Sequence, residues 1–265
     1  MKLAPIFGVS LALFLTACGV DFTASTASGD SYQAAVRQAD EARSSGDLQT
    51  AIALYGRALQ ADPEGVEAKL GLGETYLSIG APEEAAAQFR DVLAQRSGNA
   101  VARRGLAAAL IGMNQPELAE QQLDTALQAD ARDYRALNAL GVALDMQGRH
   151  AEAQVRYRRG IELAPDSISL RSNLGLSLAI SGEPGPAIAL LEPIALSRGA
   201  DARVRQNLSF AYVMAGEYEK ALQMSRRDLP EQEAQRQLSS FMSLRNLPVD
   251  ARSAEVRRSP YFFGQ

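Results

Sequence analysis

From Tyr32 to about Gln235 the small and apolar positions of the chain recur every 34 residues without insertion, and six copies fit that period. Gly46, Gly80, Asn114, Gly148, Gly182 and Gly216 share one column. Glycine and asparagine are the residues that enter the left-handed conformation ending a helix, so the first helix of each unit is predicted to stop there. Five residues later stands an unbroken alanine column, Ala51, Ala85, Ala119, Ala153, Ala187 and Ala221, and seven residues before the turn stand Ala39, Gly73, Ala107, Gly141, Gly175 and Ser209. Two columns of small side chains, one per helix, let paired helices approach closely. Tyr55, Phe89, Leu123, Tyr157 and Leu191 follow the alanine by four residues, one helical turn along the same face, and fill the next gap. Pro63 and Pro165 close second helices; Ser97, Ala131 and Gly199 hold that column elsewhere.

The pattern predicts an all-α chain of six helix-turn-helix units, 32–65, 66–99, 100–133, 134–167, 168–201 and 202–235. Pro82, Pro116 and Pro184 occupy the first turn of second helices, where the missing N–H costs nothing. Unit six departs from the rule, because Ser225 replaces the bulky residue and Asp228-Leu229-Pro230 shortens the second helix. A helix over 231–245, with Leu238, Phe241, Met242 and Arg245 at helical spacing, is expected to cap the stack, which needs a last element with one polar face. Residues 246–265 show no period and are expected to be an irregular tail, its aromatic end disordered or packed on the cap.

The 265 residues carry a net charge of -4 and a sequence pI near 5.3, which argues against a nucleic-acid surface. One cysteine rules out an intrachain disulfide, and with one histidine and an acylated cysteine no His-based triad, zinc site or Cys-His nucleophile is expected. No phosphate-binding glycine loop occurs, so neither catalysis nor a cofactor or metal is expected. His150 shares the column of Pro82 and Pro116, and its position predicts an exposed, solvated or capping side chain. The arginine pairs at 103–104, 158–159, 226–227 and 257–258 are expected on solvated faces.

The two small-residue columns, the bulky residue four later and the terminal proline in 34 residues resemble the tetratricopeptide repeat. The family's tryptophan is absent, its column holding Ala35, Lys69, Arg103, Leu137, Arg171 and Arg205. The resemblance implies a right-handed α-solenoid whose first helices line a concave groove. On the family's groove positions, units one to three place Asp40, Arg43, Glu67, Leu70, Glu74 and Arg104, while units four to six place Asn138, Val142, Met146, Leu176, Ile180, Gln206, Phe210, Val213 and Met214. The second, more apolar set is the expected partner-binding groove, for a helix or an extended segment, unless the chain's own cap or tail covers it. The family's carboxylate clamp is missing, since its positions read Val36 and Asp40, Leu70 and Glu74, Arg104 and Ala108. Asn173 and Asn207 are expected to hydrogen-bond between helices.

At the N-terminus, Lys2 precedes an apolar run from about Ile6 to Leu15, too short to span a bilayer and suited to a secretory signal over 1–17. It ends in Leu15-Thr16-Ala17-Cys18, which resembles the bacterial lipobox and implies acylation of Cys18 and cleavage before it. More than one acyl chain would anchor the protein stably. Gly19 follows in place of the aspartate of inner-membrane lipoproteins, which implies the periplasmic face of the outer membrane. Residues 18–31 are expected to be a lipidated flexible tether reaching roughly 20 Å. Finally, Arg205-Gln206-Asn207-Leu208, Ala215-Gly216 and Arg226-Arg227-Asp228-Leu229-Pro230 with a helix after it resemble the lipoprotein of the Tad, or tight adherence, Flp pilus system (TadD family). That resemblance implies a pilus-assembly adaptor, a pilotin that localises or stabilises the outer-membrane secretin. A type IVa pilus pilotin and a general periplasmic scaffold for peptidoglycan enzymes or proteases remain the alternatives.

Overall fold

The computed structural model describes residues 22–258 together with Phe262, with side-chain surroundings given from residue 31. Among the described residues there are fourteen helices and no strand. Twelve form six antiparallel pairs: α1 (Phe22–Ser44) with α2 (Leu48–Ala61), α3 (Val66–Ser78) with α4 (Pro82–Gln95), α5 (Ala100–Gly112) with α6 (Pro116–Ala129), α7 (Tyr134–Met146) with α8 (His150–Leu163), α9 (Ile168–Ser181) with α10 (Pro184–Ala195), and α11 (Ala202–Ala215) with α12 (Tyr218–Ser225). Then come α13 (Glu231–Arg245) and α14 (Val249–Arg258).

Each pair turns where the glycine column places it. Gly46, Gly80, Asn114, Gly148, Gly182 and Gly216 have φ between 55° and 93°. In every unit the N–H after this residue reaches back to a carbonyl of the last helical turn, as Asp47 N does to Ala42 O (2.9 Å) and Glu217 N to Tyr212 O (2.8 Å). Carbonyls left open by the end of the helix are thereby satisfied. Asp47, Asn99, Asp133, Ser167 and Asp201 cap the helices that follow them, and Pro82, Pro116 and Pro184 sit in the first turn as expected.

All six alanines of the alanine column are fully buried, as are Tyr55, Phe89, Leu123, Tyr157 and Leu191. Phe89 shows how the stack propagates. Its ring lies between Gly73 of its own unit and Gly105 of the next, and a Cβ at those positions would stand 2.8 and 2.4 Å from the ring. The small residue on each side is what lets one bulky ring seal the seam between units. First helices neighbour one another in sequence, α1, α3, α5, α7, α9 and α11, and form one surface of the array. The buried apolar residues divide into two clusters, one confined to unit one and the start of unit two, the other running from α3 through the C-terminus.

Two expectations change. α1 begins at Phe22, so residues 22–31 of the expected tether are helical. Once residues 32–44 are packed, each further turn adds hydrogen bonds without a new nucleus, and no proline stops it. Unit six is shortened as expected, and α13 caps it over the expected residues, but 249–258 of the expected irregular tail form α14. That helix packs against α13, α7 and α9 rather than extending the stack. Cys18 and the lipobox lie outside the described residues.

Candidate partner-binding groove

The first helices bring the nine groove residues of units four to six onto one face: Asn138, Val142 and Met146 on α7, Leu176 and Ile180 on α9, and Gln206, Phe210, Val213 and Met214 on α11. They are not an open strip. Met146, Leu176, Ile180, Phe210 and Val213 are buried, and Asn138, Val142, Gln206 and Met214 half-buried. The chain's own C-terminal segment, entertained above as the alternative cover, lies against this half of the groove.

Three contacts hold α14 there. Arg252 is buried, and its guanidinium donates to the carbonyls of Ile180 (2.7 Å), Leu247 (2.9 Å) and Leu244 (3.2 Å), with a longer bond to Arg245 O (3.4 Å). Ile180 lies at the C-terminal end of α9 and Leu244 and Arg245 at that of α13, where the helix dipole favours a cation, and Leu247 lies in the connection that follows. The partners of Arg252 are neutral carbonyls, and burial pulls its pKa below the usual arginine value. Arg257, expected on a solvated face with Arg258, instead donates to Met146 O at the end of α7. Arg104 likewise departs from the solvated expectation, in an ion pair with Asp133 at 2.6 Å.

The second contact corrects the reading of His150. The side chain is 6% exposed, with Nδ1 2.7 Å from Asp145 Oδ1 and Nε2 2.5 Å from Ser253 Oγ of α14. Proline at that column cannot show what histidine does there, because the histidine ring reaches inward across the turn to α7 and α14. Asp145, 2% exposed, also accepts from Ser177 Oγ (2.7 Å) and Tyr157 OH (2.9 Å). Burial pushes the Asp145 carboxyl up against the opposing pull of those donors, and burial with the neighbouring carboxylate pushes the Tyr157 hydroxyl up. Ser253, His150 and Asp145 thus stand in hydroxyl, imidazole, carboxylate order. The hydroxyl is mid-helix and buried, and its one proton goes to Val249 O (2.8 Å), so nothing in this geometry presents it to a substrate. The arrangement pins α14 to α7.

The third contact is aromatic. Phe262 is buried against Phe210, edge to face with centroids 5.0 Å apart, and stacks on Phe241 of the cap at 5.4 Å; Phe210 meets Phe241 at 5.2 Å. The expectation that the aromatic end packs on the cap holds at this residue. Asp145 and Ser253 carry no signal in the sequence, because neither belongs to the apolar period and the serine lies 103 residues from its histidine.

The remainder of the concave face is polar and laddered. Asn173 donates to Asn138 of the preceding unit (3.0 Å) and Asn207 to Ser172 Oγ (2.9 Å), the inter-helix role expected of them. Arg43 bridges to Glu74 at 2.8 Å, and Gln33 donates to Glu67 at 3.1 Å. A hollow of about 260 Å³ stays open beside Phe262, between Ile111, Asn138, Val142, Asn173 and Asn207, and a larger one of about 620 Å³ lies between the ends of α3 and α5. In the run that resembles the Tad lipoprotein, Arg205 grips Asp228 with two nitrogens (Nε to Oδ2 2.7 Å) and also donates to Ala200 O (2.5 Å), tying the start of α11 to the turn after α12. Among the described residues no helix is long and apolar enough to cross a membrane, and no cluster of three or more metal-ligating side chains occurs.

Comparison with known proteins places the repeats. Tetratricopeptide repeat family patterns match residues 36–100 and 80–144. A solved tetratricopeptide repeat protein of Parabacteroides merdae is similar with a TM-score of 0.67 at 18% identity, over 80% of this chain and 84% of that one. The solved structure of PilW, a widely conserved type IV pilus biogenesis factor, is similar with a TM-score of 0.67 at 20% identity, over 80% of this chain and 98% of that one. In sequence, the chain is 33% identical over 118 residues to the type IV pilus assembly protein PilF of Pseudomonas aeruginosa, a match covering 43% of this chain and 46% of that protein. The chain spans about half the length of such curated relatives. The fold is a tetratricopeptide-repeat α-solenoid.

Proposed function

We propose that this chain is a non-catalytic adaptor of pilus assembly, held by acylated Cys18 at the periplasmic face of the outer membrane. On this reading it is a pilotin of a Tad-type pilus, which grips a segment of the secretin while the lipid sets the destination of both. The observation that carries the assembly role is the similarity to PilF over 118 residues, set on a solenoid that superposes on PilW over most of both chains. The Tad assignment is supported by the run from Arg205 to Pro230, whose ends the Arg205–Asp228 bridge joins. The anchor is supported by Leu15-Thr16-Ala17-Cys18 behind an apolar run.

The relatives named for type IV pilus assembly favour one second reading, the equivalent adaptor of a type IVa machine. Both predict the same first result. In cells lacking this gene, secretin multimers disappear or shift to the inner membrane on fractionation and blotting. Unchanged secretin with pili lost would leave a later assembly step; unchanged secretin with pili intact and altered wall turnover would replace the pilus reading with an envelope scaffold. Which pilus type is lost separates the Tad machine from the type IVa machine.

A further inference from the structure

We propose that α14 and Phe262 are a displaceable internal ligand of the C-terminal half-groove, and that the partner this face takes is a basic helix presenting the same chemistry. The inference deepens the adaptor reading above, and its test does not depend on which machine the adaptor serves.

Four observations carry it. α14 has ten residues, fewer than the roughly 12–15 at which an isolated helix becomes even marginally stable, so it is helical because the groove holds it. Only Arg252, Ser253 and Val256 of the ten are buried, which makes the grip narrow compared with the alternating faces of the repeats. That grip is mostly polar: two arginines end on carbonyls at the C-termini of α7, α9 and α13, and a serine ends on His150. The groove therefore presents a pole of helix C-termini that selects cations, an imidazole that selects a hydroxyl, and a face formed by the paired rings of Phe210 and Phe241 that selects a third aromatic ring. Finally, the three-residue connection 246–248 is all that separates α14 from the cap, so release requires changes at few backbone dihedrals. A helix carrying arginine, serine three before a valine, a second arginine after it, and an aromatic beyond its end meets every one of these groups. A partner of this kind competes with a tethered copy of itself, so the chain binds it only as fast and as tightly as α14 lets go.

The probe is a fluorescein-labelled synthetic peptide of residues 247–265, titrated by anisotropy against the full chain and against full-chain V256D. Val256 is fully buried and lies on the terminal helix, so the charge ejects α14 while leaving the stacked repeats in place. The expected result is binding at least tenfold tighter to V256D than to the wild type, and no binding to either by a peptide that itself carries V256D. Equal affinity for both chains would overturn the proposal. Hydrogen exchange of the unmodified full chain gives an independent arm that a misfolded variant cannot disturb: α14 amides are expected to exchange at least 100-fold faster than those of α7 and α9. Equal protection would make α14 a fixed part of the core and end the proposal, whereas a secretin unaffected by gene loss would end only the pilus reading.

Discussion

Removing the Asp145 carboxylate tests the reasoning about the buried network most directly. In Asp145→Ala three groups lose their partner at once: His150 Nδ1, Ser177 Oγ and Tyr157 OH. A stranded buried donor costs about 1–3 kcal/mol, which would sum to roughly 3–9 kcal/mol if nothing relaxed. Ser177 can turn to a helix carbonyl and His150 keeps Ser253, so about 3–5 kcal/mol is expected. Asp145→Asn keeps the volume and one accepting oxygen but aims an NH2 at a donor, and about 1–3 kcal/mol is expected for it. The assay is urea unfolding followed by circular dichroism, with hydrogen exchange to locate the loss, since a repeat array need not unfold in two states. Faster exchange in α7, α8 and α14, with unit one unchanged, is the expected pattern. An alanine variant within about 1 kcal/mol of the wild type would refute the claim that this carboxylate organises the junction.

Three other outcomes are expected. In Gly141→Val the new Cβ would stand 2.4 Å from the Tyr157 ring, and overpacking should cost about 1–3 kcal/mol by urea unfolding; an unchanged midpoint would mean the seam between units is looser than described. In a spectrophotometric titration, Tyr32, Tyr55, Tyr157 and Tyr212 should resist ionisation, since burial is the largest cause raising each hydroxyl above 10 and Tyr55 to about 12. Because the folded values lie above the unfolded one, their contribution to stability is complete below about pH 10 and is lost as pH rises through 12, so the fold should melt there with a jump in absorbance; smooth titration of all eight near 10 would contradict it. Cys18→Ser should leave the protein unprocessed or in the soluble fraction with its function lost, and normal outer-membrane recovery on fractionation would defeat the anchor reading.

What could be seen in the sequence was whatever the period carries. A glycine or asparagine column announces a left-handed turn because few other residues tolerate one, and all six positions adopt it. The alanine column and the bulky column had to be buried because each serves a seam repeated along the array, and Pro230 had to end the last pair early. α14 was illegible for the opposite reason. Its buried side chains are Arg252, Ser253 and Val256, so it has no apolar stripe, and its partners lie in units whose sequence gives no hint of a returning chain. His150 and Phe210 show the same limit. The histidine column holds prolines elsewhere, and the groove position of Phe210 implies exposure, yet the first is pinned by a distant serine and the second sits fully buried under a distant ring. A charge placed at Phe210 would therefore be a folding defect before it was a binding defect.

The return of α14 from the end of unit six to the helices of units four and five alters what the array can tolerate over evolutionary time. A one-dimensional stack lengthens or shortens by whole duplicated units at little structural cost, because each contacts only its neighbours. Here Ser253 must meet His150, and Arg257 the end of α7, over gaps of 103 and 111 residues. Adding or deleting 34 residues between α8 and α13 would carry the last helix one step out of reach of its contacts. The C-terminal segment is thus a ruler that fixes the unit count in the second half of the molecule, while the first half stays free to drift in number.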